Sequence, residues 1–239
     1  HPVARSRLAS PVSLCFGFLP ISHSPRRGKP LRQAEPVMAA CGCPCPFVMR
    51  KLPMAVKRSE RLVWMDLEMT GLDPDRDSIL EIATLITTDE LEIVAQGPVL
   101  AIQTDAARLE AMDEWNRSHH AASGLTERVL ASEISMREAE ERTLEFIRQY
   151  VAAQKAPLCG NSIWQDRRFL ARQMGELERY LHYRVIDVST VKELVRRWYK
   201  KGARPPKKKH AHLARDDIHE SIAELRFYRE RYFVPIGAR

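Results

Sequence analysis

The clearest hydrophobic pattern in the chain lies in VWMDLEMTGLDP, residues 63–74. Its odd-numbered positions up to 69 are apolar, as expected for a strand with one buried face. The even-numbered positions place Asp66 and Glu68 on the other face, about 7 Å apart at the rise of a β-strand. Thr70 and Gly71 then give a turn signal. The pattern therefore predicts two neighbouring carboxylates at the carboxyl end of a strand, beside a loop.

Downstream periodicity predicts two more strands on short connections, followed by alternating helices and strands. The predicted strands cover 78–88, 91–102, 156–162 and 182–189; the predicted helices cover 105–119, 123–132 (a short helix or turn), 135–151, 165–174, 190–199 and 213–232. Capping-box patterns open two of these helices, at Ser135 and Thr190. The order predicts an α/β fold with a mixed five-stranded sheet, in which three antiparallel strands precede β/α units and helices flank the sheet.

Residues 1–60 differ in composition from the rest. They hold 9 of the 15 prolines, several Ser and Arg residues and no sustained periodicity, which is typical of disordered or processed sequence. We interpret 1–60 as a disordered or non-native extension, 61–234 as the folded domain and 235–239 as a short tail. An over-extended gene model, with translation starting at Met54 or Met38, is the favoured explanation and implies a cytoplasmic protein. A mitochondrial transit peptide within 1–53 is the alternative.

The formal net charge of +7 is unevenly distributed. Residues 1–60 carry 10 Lys/Arg against 2 Asp/Glu, which leaves 28 against 29 in residues 61–239. The predicted domain is therefore nearly neutral. A basic surface that contacts nucleic acid can only be local. The lysine-rich segment 200–209 is the candidate, as a solvated loop or as a phosphate contact.

Cysteine spacing and hydropathy argue against a cysteine zinc site and against a membrane-spanning helix. Four of the five cysteines lie within 1–60, and CGCPC at 41–45 has poor spacing for a zinc site. Cys159 alone belongs to the domain and is interpreted as a small buried hydrophobe. No apolar run reaches the ~20 residues of a membrane span, so no membrane partner is expected.

Further acidic positions lie at the predicted ends of core elements. Asp166 falls in the first turn of a helix after the fourth strand, and Asp216 and Asp217 open the last helix just after His212. Each is common on its own as a solvated helix-start carboxylate or loop histidine. Together with the strand pair they form an all-oxygen ligand set plus one base, which favours Mg²⁺ or Mn²⁺ over zinc.

The chemistry that this set suits is metal-assisted phosphodiester hydrolysis. Two divalent ions roughly 4 Å apart can stabilise the attacking and leaving oxygens of a phosphoryl displacement. A histidine with a pKa of about 6.5 can accept the proton of the attacking water at physiological pH.

Five sequence blocks, together covering roughly residues 62–232, carry a family resemblance. They are WMDLEMTGLDP, MDEWNRSHHAASGLT, PLCGNSIWQDRRFL, LHYRVIDVSTVKELVRRWY and HLARDDIHESIAELRFYR. In this order they resemble the DEDDh 3′–5′ exonucleases of the RNase H-like fold, and within that family the members that act on the shortest RNA. Trp164 and Arg215 depart from the family pattern without removing a catalytic group.

The resemblance implies a role for each candidate residue. Asp66, Glu68, Asp166 and Asp217 would be catalytic and would hold two Mg²⁺ or Mn²⁺ ions, and His212 would be the general base. The family spacing of five residues selects Asp217 over Asp216. The implied substrate-binding residues are Leu72 between the two bases, Trp115 and His120 around the 3′ nucleotide, Ser162, Arg184 and Ser189 at the 5′ phosphate, and Tyr183 reaching in from the partner subunit of a homodimer.

The implied activity is 3′-to-5′ degradation of RNA of two to a few nucleotides to mononucleotides. Two alternatives stay open at this point. One is a trimming or proofreading exonuclease that acts on longer RNA or DNA, and the other is a catalytically idle RNA-binding dimer.

Overall fold

A mixed five-stranded sheet forms the centre of the protein. The computed structural model describes residues 61–199, 205 and 214–234. The strands are β1 (Arg61–Met69), β2 (Ile79–Thr88), β3 (Ile93–Ala101), β4 (Leu158–Gly160) and β5 (Val185–Asp187). Their order in the sheet is β3-β2-β1-β4-β5. The first three strands are antiparallel, while β4 runs parallel to both β1 and β5. The mixed sheet predicted from the sequence is confirmed.

Helices surround this sheet and connect its parallel strands. In the described residues they are α1 (Ala106–Glu110), α2 (Glu114–Ala122), α3 (Leu125–Ala131), α4 (Met136–Tyr150), α5 (Ile163–Gln173), α6 (Gly175–Tyr180), α7 (Val188–Trp198) and α8 (Ala214–Tyr232). None of the helices in the part of the chain that the structure describes has the length and apolar content needed to cross a bilayer.

Strand β1 is central, and its alternation assigns the two faces of the sheet. Val63, Met65 and Leu67 pack into one core together with α4, α5 and α6. Trp64 packs into the other core, with Ile218 and further residues of α7 and α8. Because Asp66 and Glu68 share a face with Trp64, they lie on the α8 side of the sheet. The pattern that made β1 recognisable therefore also directs its carboxylates towards the last helix.

Two predicted helix boundaries were wrong, and side-chain capping explains both. The predicted helix 105–119 is broken, because Asp113 accepts a hydrogen bond from the backbone N–H of Asn116 and starts α2 separately from α1. The predicted capping box at Thr190 lies inside α7. The N-cap is Asp187, which accepts from the N–H of Ser189 at 2.9 Å. The other predicted box is confirmed, since Ser135 caps α4.

Gly160 lies where β4 passes close to β1. A Cβ at this position would lie 2.8 Å from Ile163 Cδ1 and 2.9 Å from the carbonyl oxygen of Met65. We expect Gly160→Ala to lower the free energy of unfolding by about 1–3 kcal/mol through overpacking, which corresponds to a fall in Tm of roughly 3–10 °C. Thermal melts followed by circular dichroism would measure it.

The matched control is Gly175→Ala. A Cβ there would meet only the flexible end of Arg179, at 3.1 Å, so no fall in Tm is expected. Equal melting of Gly160→Ala and the unmodified protein would contradict the close approach of the two strands.

Candidate active site

Three carboxylates from β1 and α8 converge at the carboxyl end of the central strand. Ligand oxygens of Asp66, Glu68 and Asp217 all lie within 4.8 Å of one another, and all three residues are partly buried. α8 reaches this position because its apolar side packs against the same face of the sheet as Trp64. Residues about 150 positions apart in the chain are thus brought to one point.

Asp166 approaches the same strand from α5. Its side chain is buried, and Oδ1 accepts a hydrogen bond of 3.0 Å from the backbone N–H of Leu67, the residue between Asp66 and Glu68. The first turn of α5 therefore holds the fourth predicted carboxylate beside the strand that carries the first two. Asp166 thus lies beside β1, while the ligand oxygens that lie within 4.8 Å of one another belong to Asp66, Glu68 and Asp217.

The pKa values of two of these groups, Glu68 and Asp166, are raised. Burial is the main cause of the pKa of Glu68 rising to about 8, and repulsion from Asp217, Glu81 and Asp166 adds to it. Burial likewise raises the pKa of Asp166 to about 7, against the opposing effect of the Leu67 N–H. Such an arrangement is costly without a counter-charge. A set of closely spaced carboxylate oxygens fits a hard divalent cation, which would offset this cost.

A cleft of about 650 Å³ adjoins the loop that follows β1. Leu72, from the β1–β2 loop, and Trp115, from α2, both line it. Both side chains are unusually exposed for their type, at 73% for Leu72 and 67% for Trp115. The structure thus brings two of the residues predicted to contact the nucleotides to one cleft.

His120 lies buried next to the carboxylates. Its Nε2 is 2.9 Å from the carbonyl oxygen of Met69, and its Nδ1 is 3.9 Å from Glu68 Oε2. Since the Met69 carbonyl can only accept, Nε2 carries the proton and Nδ1 faces Glu68. The predicted nucleotide-contacting histidine therefore extends from α2 towards the acidic cluster.

Ser162 and Ser189, predicted at the 5′ phosphate, form a pair. Their hydroxyl oxygens are 3.2 Å apart, and the Ser162 N–H also donates to Asp187 Oδ1 and Ser189 Oγ. Ser162 has a left-handed backbone with φ of 52°, a conformation that costs energy in a non-glycine residue and often accompanies function. Ser189 Oγ donates to Asn161 Oδ1 at 3.1 Å, which ties the pair to the end of β4.

Tyr183 and Arg184 lie outside these clusters in the single chain. Tyr183 is 71% exposed, and the Arg184 guanidinium lies 5.2 Å from the centroid of its ring. The role predicted for Tyr183 in a partner subunit stays a prediction.

The sequence of this chain is similar to those of known exonucleases. The RNase_T family model, described as "Exonuclease", matches residues 63–225. The oligoribonuclease of Hydrogenovibrio crunogenus is 54% identical over 180 residues, which are 75% of this chain and 98% of that protein. The oligoribonuclease of Halorhodospira halophila is 58% identical over 171 residues, 72% of this chain and 93% of that protein. This chain belongs to the oligoribonuclease family of exonucleases.

Solved structures support the fold independently of sequence. Escherichia coli exonuclease I in complex with a dT13 oligonucleotide matches with a TM-score of 0.55 at 14% identity over 72% of this chain. Exonuclease I from Methylocaldum szegediense matches with a TM-score of 0.53 at 20% identity. The chain spans about two fifths of the length of both exonuclease I proteins (41%). The RNase H-like architecture expected from the motifs is confirmed.

One buried ion pair of this oligoribonuclease-family chain was missed at the sequence level. Glu81 lies opposite Glu68 in the β1–β2 register and is 1% exposed. Arg128 donates to Glu81 Oε1 through Nε and Nη2, at 3.1 and 2.9 Å. Glu81 raises and Arg128 lowers the pKa of Glu68, so this pair acts electrostatically on the site. A glutamate inside the apolar run ILEIATLI was the available signal.

Four predicted features lie outside the described residues. They are His212, predicted as the general base, nearly all of the lysine-rich segment 200–209, the extension 1–60 and the tail 235–239. Their roles stay predictions.

Proposed function

We propose that this protein is a 3′-to-5′ exoribonuclease that degrades RNA of two to a few nucleotides to mononucleotides. The observation that carries the proposal is the convergence of Asp66, Glu68 and Asp217, with Asp166 alongside, in a chain of the oligoribonuclease family. The reaction is hydrolysis of the phosphodiester bond at the 3′ end.

Asp66, Glu68, Asp166 and Asp217 would hold two Mg²⁺ or Mn²⁺ ions. When bound, such ions stabilise the charge that develops on the phosphoryl oxygens and lower the pKa of water. The donor set supports this assignment because it offers only carboxylate oxygens. Burial also raises the pKa values of Glu68 and Asp166, and a bound cation would offset this cost of ionisation.

The cleft at the loop after β1 would bind the bases. The exposed side chain of Leu72 would separate two stacked bases, and Trp115 and His120 would flank the 3′ nucleotide. Aromatic and apolar contacts of this kind tolerate every base, so little sequence preference is expected. The exposure of Leu72 and Trp115, which line the same cleft, supports this assignment.

Ser162, Ser189 and Arg184 would contact the 5′ phosphate. Hydroxyl groups and a guanidinium are suitable phosphate donors, and the two serines are already within 3.2 Å of one another. A substrate held at both ends needs no long basic groove, which agrees with the near-neutral charge of residues 61–239.

His212 would act as the general base. It precedes Asp217 by five residues, so it would enter the site from the segment before α8. A neutral imidazole there would accept a proton from the attacking water near neutral pH.

A homodimer would complete the site. Tyr183 and Trp198 are 71% and 69% exposed, and Val185 and Leu194 in the same stretch are also exposed. Large apolar side chains exposed together are typical of an interface. Tyr183 would reach the substrate of the partner subunit from this surface.

We propose a cytoplasmic location for the protein. Mitochondrial location is the alternative if residues 1–53 are a genuine transit peptide.

Substrate length tests the function directly. With Mg²⁺, we expect the purified protein to convert a 5′-labelled diribonucleotide to mononucleotides at least about tenfold faster, in kcat/KM, than a long RNA with a 3′ overhang, and to lose this activity in EDTA. Denaturing gels or mass spectrometry would follow the products.

The other outcomes separate the alternatives. Preference for the long RNA or for DNA would indicate a trimming or proofreading exonuclease. Lack of product from every substrate, with either Mg²⁺ or Mn²⁺, would indicate an idle RNA-binding dimer.

A further inference from the structure

The loop between β1 and β2 is attached to α5 at the residue that faces the bases. Gln165 Nε2 donates a hydrogen bond of 2.7 Å to the carbonyl oxygen of Leu72, 93 positions away in the chain. Gln165 is 8% exposed, whereas Leu72 is 73% exposed. A buried amide therefore holds the backbone of an apolar side chain that projects into solvent.

A second contact determines the orientation of this amide. Arg168 Nη1 donates to Gln165 Oε1 at 2.8 Å, and its guanidinium lies 5.8 Å from the centroid of the Trp164 ring. Because an arginine can only donate, it holds the amide oxygen on its own side and leaves the NH₂ group directed at Leu72. An amide flipped by 180° would lose both bonds.

The rest of the loop is held by different groups. Thr70 Oγ1 donates to Asp77 Oδ1 at 2.9 Å, and Asp73 N–H donates to Asp77 Oδ2 at 2.9 Å. Gln173 Nε2 donates to the Asp77 carbonyl at 2.7 Å. The base of the loop is thus secured without Gln165, so loss of the Gln165 bond would release Leu72 while the loop stays folded.

Gln165 also has a neighbour that matters for the reaction. The next residue, Asp166, binds the backbone of Leu67 in β1. Two consecutive side chains in one turn of α5 therefore connect to the strand end that carries the acidic cluster and to the loop that carries Leu72. This single turn therefore contributes to the separation between the cluster and Leu72.

We propose that Gln165 is a positioning residue that holds Leu72 at the distance from the acidic cluster that a dinucleotide requires. This inference rests on the proposed function, since it takes Leu72 as the group that packs between bases. Arg168 supports Gln165 by orienting its amide. Gln165 itself makes no contact with the reacting atoms.

The test is Gln165→Glu, which keeps the size of the side chain and the bond to Arg168 but replaces the donor to Leu72 with an acceptor. We expect kcat/KM for a diribonucleotide to fall about tenfold, with most of the change in KM. The control is Gln173→Glu, the same substitution at the base of the loop. It should lower Tm at least as much as Gln165→Glu, while kcat/KM changes less than threefold.

A coupling measurement separates positioning from other effects. In a Leu72→Ala background, Gln165→Glu should cost less than twofold, because the group that it positions is gone. Persistence of the tenfold loss in that background would overturn the proposal and point to an effect on Asp166. An equal loss in Gln173→Glu would also overturn it, because any loosening of the loop would then suffice.

Further variants and controls distinguish misfolding, and failure of the proposed function, from failure of this inference. Arg168→Met should lower kcat/KM about threefold in the same direction, and an unchanged value would overturn the role given to Arg168. If Gln165→Glu does not fold, Gln165→Met replaces it with the same expectations. An unmodified protein inactive on diribonucleotides would refute the proposed function itself, whereas an active one with an unaffected Gln165→Glu variant would refute only this inference.

Discussion

Asp66→Asn is expected to lower turnover of a diribonucleotide by about a thousandfold without loss of the fold. Asparagine keeps the shape of the side chain but removes its charge from a cluster whose ligand oxygens lie within 4.8 Å of one another. Groups that stabilise developing charge in a water-poor site typically contribute about 10²–10³ in rate, and a lost metal ligand adds to that. Steady-state kinetics at saturating Mg²⁺ would measure the change.

Thermal melting and a neighbouring variant serve as controls. Metal-free Asp66→Asn should melt at or above the temperature of the unmodified protein, because one of several repelling charges is removed. Asp216→Asn makes the same charge change one residue from Asp217 and should retain turnover within about twofold. Normal turnover of Asp66→Asn in the presence of metal would refute the metal assignment.

Mg²⁺ is expected to stabilise the protein much more at pH 8 than at pH 5.5. In the metal-free protein, the pKa of Glu68 rises from 4.5 to about 8 and that of Asp166 from 3.8 to about 7. Between the ordinary and the raised pKa values, the unfolded chain binds fewer protons than the folded one. These two groups therefore favour the folded state most below about pH 4, and their contribution to stability is lost as pH rises to about 7 and 8.

Bound cations remove this penalty, because paired carboxylates can ionise without repelling one another. The increase in Tm produced by Mg²⁺ should therefore be larger at pH 8 than at pH 5.5 by about 5 °C or more. Differential scanning calorimetry with EDTA or Mg²⁺ would measure it. Glu68→Gln should flatten the pH dependence in EDTA, and a Mg²⁺ effect that is equal at both pH values would argue against cation binding by these carboxylates.

Much of the architecture could be predicted because the governing patterns are local. Alternation in β1 identified the strand, its two faces and the shared face of Asp66 and Glu68. Short connections identified the antiparallel strands β1 to β3, and Ser135 identified the start of α4. Where local pattern misled, at Asp113 and at Thr190, a side chain elsewhere in the same segment made a stronger cap.

The proximity of the candidate site residues was harder to predict from the sequence. Asp166 and the pair Asp216/Asp217 were candidates from their positions at helix starts, but family resemblance selected Asp217 and assigned the ligand roles. Helix-start carboxylates are common, and their own segments do not reveal what they face. Glu81 and its partner Arg128 went unnoticed for a related reason. The apolar run around Glu81 predicts a strand whether or not a distant arginine neutralises the glutamate.

The sequence by itself determined the strand order along the chain, the alternation of β1 and the supply of acidic groups at element ends, because each depends on neighbours within a few residues. The tertiary structure alone decided that α8 brings Asp217 to Asp66, that Glu68 is buried enough to hold a proton near neutral pH, and that Gln165 reaches Leu72 across 93 positions. These properties depend on which surfaces pack together and on how much water they exclude, and short-range pattern contains neither.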